Sequence, residues 1–462
     1  MRYWWSLFIV FVLWSCATYY QTNYAFNAAF EQGQLDQALT TLQSRSSEGK
    51  GKAAFLYDVN NGLILSMKSR YQESNDYFEK AFLFGEDYRI NYLNEVASYL
   101  TNPMFTVYKG EDHEHLLVPY YKALNYLKMG NIDDALVECR RMNIRLQQLS
   151  DRYTSNNKYR RDAFIHNLMG IIYDASHDYN NAFIAYRNAW EIYQEDYGRL
   201  FGVQAPSQLR EDLLRTAWLT GLTAEFDRLR QEVGLPDYRY QAGSGGELVF
   251  FWHNGLAPVK SEWSINFFIE RRGNQMIFFN EQLGMRFPFD VSGYDDRQRK
   301  GLSSLEVFRV AFPRYVERPV VFRTGELRNS QGTYPLQLLE DVNKVAFKCL
   351  EERMLVELSK ALVRVAVKKV EEAELRKNND QLGSLLGVFN AITEKADTRN
   401  WQTLPHTISY ARVPLSTGSN DVTFKRVTTG GQEQVNTFHY TAEKGKTLFH
   451  TFTSLESHYP SY

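Results

Sequence analysis

A few small groups of residues in this chain have types and spacings that could do chemistry. His113-Glu114-His115 is the nearest approach to a metal-ligand cluster. Histidines at i and i+2 face together only in extended backbone, so we read them as solvated and expect no metal site. Glu262 and Glu270 could serve as paired carboxylates in glycan hydrolysis, but nothing in the spacing selects two of the 54 acidic residues. Asp397, Arg399 and Trp401 alternate, so in extended backbone they share one face. Arg399 and Trp401 would then offer a planar donor and an aromatic platform to a glycan or a peptide carboxylate. The favoured reading makes them a structural corner that docks a helical insert on a sheet. Cys16, Cys139 and Cys349 are the only thiols, too few for a disulfide framework, and no CxxC pair offers a zinc site. The sequence has no GxGxxG before a helix, GxxxxGK[ST], GxSxG or HExxH, so no catalytic residue is expected.

Cys16 differs from the other thiols in what precedes it. Met1-Arg2 gives a positive start, and Tyr3 to Trp14 form an apolar run too short to span a bilayer and right for a signal-peptide core. Leu13-Trp14-Ser15-Cys16 resembles the lipobox of bacterial lipoproteins, with Trp14 where a small or aliphatic residue is usual. The resemblance implies a signal peptide over 1–15 and a lipidated Cys16, the only covalent group expected, with no other cofactor. Several acyl chains on one residue anchor stably where one chain is marginal. Ala17 stands where an aspartate would mark inner-membrane retention in enterobacteria, and no acidic cluster follows. The expected address is the periplasmic face of the outer membrane.

The elements that position these groups follow from length and pattern. With 462 residues the chain should hold two or three domains, and 15% aromatic residues supply ample buriable surface. Its 53 basic against 54 acidic residues argue against a general nucleic-acid binder.

The first half reads as a helical repeat. Gly170, Tyr173, Tyr179, Ala182, Tyr186 and Ala189 match the small and aromatic positions of a tetratricopeptide unit. Gly62 to Ala81, Tyr126 to Cys139 and, more weakly, Gly33 to Leu42 repeat the pattern. The crossing residues Ala38, Ser74, Ala135 and Ala182 are unevenly spaced, with insertions at Asn102–His113 and Asp151–Asn157. Helices over Gln208–Thr220 and Ala224–Val233 close the array. Such a solenoid leaves a concave face for an extended peptide or a partner helix. Tyr19, Tyr20, Tyr120, Tyr121, Tyr193 and Tyr197 could line it, although a tyrosine here is read first as an inter-repeat wedge.

The glycine-rich stretch 241–246 leads into a strand pattern, so it reads as a linker and not a phosphate loop. Strands are expected near Glu247–Trp252, Trp263–Glu270, Gln275–Asn280, Leu305–Ala311, Val320–Thr324, Thr407–Val413, Asp421–Arg426, Thr437–Thr441 and Thr447–Thr453. Pro258, Pro288 and Pro313 are placed at segment ends. Between the two strand sets, a helix over Leu336–Arg376 and a second over Leu382–Ile392 form a hairpin. The expected fold class is α+β and multidomain. It comprises a tetratricopeptide-like helical domain over 16–235, a linker over 236–246, and a β-sandwich-like domain over 247–462 with helical insert 336–393.

Asn254-Gly255-Leu256-Ala257-Pro258-Val259-Lys260 should form a tight turn with Lys260 solvated. Together with Ala396-Asp397-Thr398-Arg399-Asn400-Trp401-Gln402-Thr403-Leu404-Pro405, the lipobox and the repeats, it resembles an uncharacterised group of bacterial outer-membrane tetratricopeptide lipoproteins. Members are sometimes encoded beside an activator lipoprotein of penicillin-binding proteins. The resemblance implies an envelope role and supplies no reaction. We therefore expect a lipid-anchored scaffold that binds periplasmic or outer-membrane proteins through its repeats, contacts the bilayer through its acyl anchor and binds no nucleic acid. The alternative is a protein that binds or hydrolyses cell-wall glycan in its second half, with Arg399, Trp401 and Asp397 at the contact.

Overall fold

The computed structural model describes residues 17–90, 106–152, 159, 161–282, 284–293, 307–354, 362 and 396–459. The predicted leader, Cys16 and the helix expected over Leu382–Ile392 lie outside the described residues. Within them the chain is α+β, with helices first and three four-stranded sheets after.

The helical half contains α1 (Tyr24–Glu31), α2 (Leu35–Gln43), α3 (Ala54–Met67), α4 (Tyr71–Ile90) and α5 (Asp112–Lys128). It continues through α6 (Ile132–Arg152), α7 (Ala163–Ala175), α8 (Tyr179–Ile192), α9 (Ser207–Leu219) and α10 (Thr223–Glu232). They pack as consecutive pairs, α1 on α2 through α9 on α10. Each pair turns through one left-handed residue: Gly33, Ser69, Gly130, His177 and Gly221.

The small residues singled out by the repeat pattern sit where helices cross. Ala38, Ala135 and Ala182 have no exposed surface, and Ser74 donates its hydroxyl to the Gly62 carbonyl at 2.6 Å. A Cβ on Gly170 would stand 2.4 Å from the Tyr186 ring, and one on Gly62 would stand 2.9 Å from Phe78. Gly170→Ala is therefore expected to overpack the α7–α8 crossing and destabilise by about 1–3 kcal/mol. Urea unfolding measures this directly, and a neutral result would mean that Tyr186 moves aside freely.

The strand-rich half begins at Gly246. Its strands are β1 (Gly246–Asn254), β2 (Val259–Arg272), β3 (Gln275–Asn280), β4 (Met285–Asp290), β5 (Val307–Val316) and β6 (Phe322–Arg328). Then come β7 (Thr333–Pro335), β8 (Gln337–Asp341), β9 (Thr407–Leu415), β10 (Gly418–Thr428), β11 (Glu433–Ala442) and β12 (Thr447–Ser454). They form sheets of order β12-β1-β9-β8, β11-β10-β6-β7 and β4-β3-β2-β5. Among the described residues only β1 and β12 pair in parallel; the other pairs are antiparallel.

The first two sheets face each other across a core of Leu248, Phe250, Trp252, Val413, Val422 and Phe424. The opposite face of the first sheet packs on the helices. There Val249, Phe251, Ile408 and Tyr410 join one cluster with Phe30, Tyr120, Phe164 and Tyr193. The sheet is thus a middle layer, which is why β1 is apolar on both faces while half-buried strands alternate.

Three expectations are corrected. The helix read from Leu336 starts at residue 342, because 337–341 pairs with β9 as β8. Asp341 ends that strand by accepting the Lys344 N–H at 3.0 Å, an N-cap that separates strand from helix. This helix, α11 (342–354), packs Ala346 and Leu350 on Tyr315 of the third sheet, and its last residue, Met354, joins that sheet's cluster of Ile265, Phe267, Phe278 and Phe312. Pro288 and Pro313 lie inside β4 and β5 and not at segment ends; both are edge strands, where a missing N–H is tolerated. β4 was absent from the expected strands, although Met285, Phe287 and Phe289 alternate along it.

Candidate functional site

The segment 396–406 is where the predicted site residues come together. It has no regular secondary structure until β9, and it runs along the helical half with nearly every residue buried. Backbone without a ladder must find side-chain partners when buried. The helices supply them. Trp401 N–H donates to Glu114 Oε1 at 2.7 Å, and Thr403 Oγ1 to Asn60 Oδ1 at 2.6 Å. Gln402 Nε2 donates to Asn27 Oδ1 at 3.0 Å. The N-terminal end joins in, with Tyr19 N–H donating to Thr398 Oγ1 at 2.9 Å.

Trp401 is fully buried, its ring 6.1 Å from Phe78 and 5.8 Å from Tyr121, and its indole N–H donates to Thr403 Oγ1 at 2.9 Å. Arg399 is 5% exposed and forks onto Asp397 at 2.8 and 2.7 Å. Its other nitrogen donates to the carbonyls of Lys52 at 3.1 Å and Thr106 at 2.9 Å. The three residues are therefore a corner, and neither Arg399 nor Trp401 presents an open face to a glycan. The sheet and insert named by the favoured reading are replaced by helices α1, α3, α4 and α5 as the surface on which this corner docks.

Two further expectations change here. Lys260 is buried and not solvated, because its ammonium pairs with Glu111 between the Tyr108 and Tyr315 rings. The histidines of His113-Glu114-His115 are likewise not solvated. His113 is buried, and His115 packs 4.9 Å from Phe55 with Nε2 against the Lys109 carbonyl at 2.7 Å. Glu114 takes the Trp401 N–H, the Glu111 N–H at 2.9 Å and the Tyr108 hydroxyl at 2.8 Å. The three side chains diverge, and no set of three or more metal-ligating groups occurs among the described residues. Of the other carboxylates considered, Glu262 accepts the Ala396 N–H at 2.8 Å, and Glu270 pairs with Arg272 on the surface.

The tyrosines of the helical face meet the chain itself. Tyr120 hydroxyl and His253 Nε2 are 2.5 Å apart. Tyr193 donates to the Leu339 carbonyl at 2.8 Å and Tyr197 to Glu340 Oε2 at 2.9 Å. Sequence reasoning missed Arg412, whose guanidinium reaches Asp174 at 3.2 Å, Asp212 at 3.3 Å and Glu247. Arg318 binds Glu31 at 2.8 Å and the Ala257 carbonyl at 2.7 Å. A signal existed for Arg412: it is the one charged residue of β9, between Ala411 and Val413, and a buried charge requires a partner.

Electrostatics follow burial and pairing. Burial pushes the Glu111 carboxyl up, but Arg353 and Lys260 overcome it and hold the group well below its ordinary value. Burial and the Glu111 charge push Glu114 up to about 7. Burial lowers His253 to about 3 and His113 to about 4, so both are neutral in the folded chain. Unfolding frees each to take a proton near the ordinary value of 6.5. The stability these residues contribute is complete above that value and is lost as pH falls below it. Lowering pH from 7 to 5 is expected to remove about 2 kcal/mol per histidine. His253→Gln should shrink that loss by a similar amount in urea unfolding. Equal losses in variant and parent would show that His253 is not held neutral at this joint.

No family model and no curated protein matches this chain. Among solved structures it is similar to the crystal structure of MamA protein, at 9% identity and a TM-score of 0.28, over 47% of this chain and 95% of that one. It is also similar to the crystal structure of BtubC (BKLC) from P. vanneervenii, at 13% identity and a TM-score of 0.29, over 47% of this chain and 82% of that one.

Proposed function

We propose that this protein is a lipid-anchored scaffold of the bacterial outer membrane, facing the periplasm, that holds partner proteins of a cell-envelope pathway without catalysing a reaction. The helical pairs are read as tetratricopeptide-like units and the two facing sheets as a sandwich. The observation that carries the reading is the way the halves are joined. The helical half holds the chain's own segment 396–406 and the first sheet, with Trp401 fully buried. Its ionisable side chains bind one another and the backbone, which is construction and not an open reaction centre. A partner is then held on the outside of one rigid body and not in the repeat groove, which changes the expected mode of scaffolding.

The anchor fits this arrangement. Cys16 precedes Tyr19 by three residues, about 10 Å of extended chain at most, and Tyr19 is tied to Thr398. A lipidated Cys16 would hold the joint close to the bilayer.

In-cell crosslinking with affinity capture of the full chain tests the reading. A reproducible envelope protein crosslinked to surface positions supports it, while recovery of lipid and cell-wall fragments alone would count against it. Deleting the repeats is a poor control, because it would expose the core shared with β1 and β9. Surface substitutions serve instead.

A further inference from the structure

The three sheets expose six edge strands, and natural sheets blunt such edges with charge, proline, bulges, shortness or cover. Five of the six follow the rule. β4 carries Pro288 between Arg286 and Asp290, and β5 carries Pro313 and Arg314. β7 has three residues and ends on Pro335. β8 is bulged, ends in Glu340-Asp341, and has the Tyr193 hydroxyl on its Leu339 carbonyl. β11 carries Glu433.

β12 is the exception. Its eight residues, Thr-Leu-Phe-His-Thr-Phe-Thr-Ser, include no acidic residue, lysine, arginine or proline, and its parallel pairing with β1 runs through all eight without a shift. Only β1 pairs with it, and although α5 packs against the strand, its other edge has no ladder partner among the described residues. Seven of its eight residues are half-buried, as along a strand with one open side. Leu448 and Phe452 lean on the sandwich core, and Phe449 leans on the helical core. A cation does act on His450, but from α5, where burial lowers Lys128 to about 8.

We propose that β12 is a docking edge that takes an extended, uncharged strand from a partner protein as a fifth strand of the first sheet. Open N–H and C=O groups along a strand are satisfied by another strand and by few other ligands. Apolar side chains lean to both sides of β12, so the incoming segment carries apolar residues on both faces. A charged segment would lose solvation beside Leu448, Phe449 and Phe452 without gaining an ion pair on the strand. The proposal rests on the scaffold reading and specifies its partner surface.

The probe is a phage-displayed library of ten-residue linear peptides, selected on the full chain. Thr451→Lys, which adds the missing edge charge, serves as the comparison and is checked for unchanged unfolding. The expected result is a set of uncharged peptides that slow amide exchange of residues 447–454. They should bind at least tenfold more weakly to Thr451→Lys, and equally poorly when alternate peptide nitrogens are methylated. Four results would overturn the proposal: already slow exchange at 447–454 in the free protein, no enrichment over the variant, protection elsewhere, or indifference to methylation. Self-association lost in Thr451→Lys would reassign the edge to a second copy and also overturn it. A crosslinked envelope partner retained by Thr451→Lys would leave the scaffold reading standing and remove the edge from it. Absence of any such partner in the parent protein would instead remove the scaffold reading.

Discussion

Trp401→Ala is expected to lower the unfolding free energy by about 3–5 kcal/mol, the range for emptying a large aromatic site. Domains of ordinary stability have only about 5–15 kcal/mol in total. Trp401 has no exposed surface and stands between Phe78 of α4, Tyr121 of α5 and its own Thr403. Removing it leaves a cavity between the helical half and segment 396–406, so both halves should lose stability together. Urea unfolding followed by far-ultraviolet circular dichroism and by hydrogen exchange of α5 and β1 peptides reads both. A drop confined to one half would show that Trp401 belongs to that half alone.

Arg412→Met should cost a comparable amount, about 3–5 kcal/mol, by a different mechanism. Arg412 is buried and faces Asp174, Asp212 and Glu247, with the Tyr186 hydroxyl at 3.1 Å. Burial pushes Asp174 up, and Arg412 and Arg215 overcome it to hold the carboxyl below its ordinary value. Burial leaves Asp212 raised despite the same two cations. With Arg412 gone, Arg215 alone faces the buried Asp174 and Asp212, and Glu247 loses its ion pair with Arg412. Adding Asp212→Asn should restore part of the loss, because it removes one uncompensated charge. Equal stability of Arg412→Met and parent would mean that the cluster is solvated.

Much of this architecture was legible in residue types. The crossings at Ala38, Ser74, Ala135 and Ala182 came from the repeat pattern, since a crossing admits only small side chains whatever surrounds it. β3, β9 and β12 came from runs of β-branched and aromatic residues between turn formers. The joint was not legible, because it depends on pairs far apart in sequence. Lys260 looks like a solvated charge until the fold brings it to Glu111, and Arg412, marked by its apolar neighbours, gives no sign in the sequence that Asp174 is its partner. The alternation of Asp397, Arg399 and Trp401 did mark an unusual segment. A sequence alone does not say whether such a segment offers its face to a ligand or to the rest of the chain, and here Phe78, Tyr121 and Glu114 take Trp401 while the Lys52 and Thr106 carbonyls take Arg399. β8 was hidden because Leu338 and Leu339 fit a helical stripe as well as a short strand, and only the cap at Asp341 separates them.

The central claim is that the helical and strand-rich halves form one body, with segment 396–406 packed on helices α1, α3 and α5. The most direct test is to place a protease site in the exposed linker at 241–244, cut the purified full chain, and ask whether the halves remain together on gel filtration. The account predicts one co-eluting complex that separates only in denaturant, and that separates more readily in Trp401→Ala. Two independently folded pieces after cutting the parent protein would contradict it.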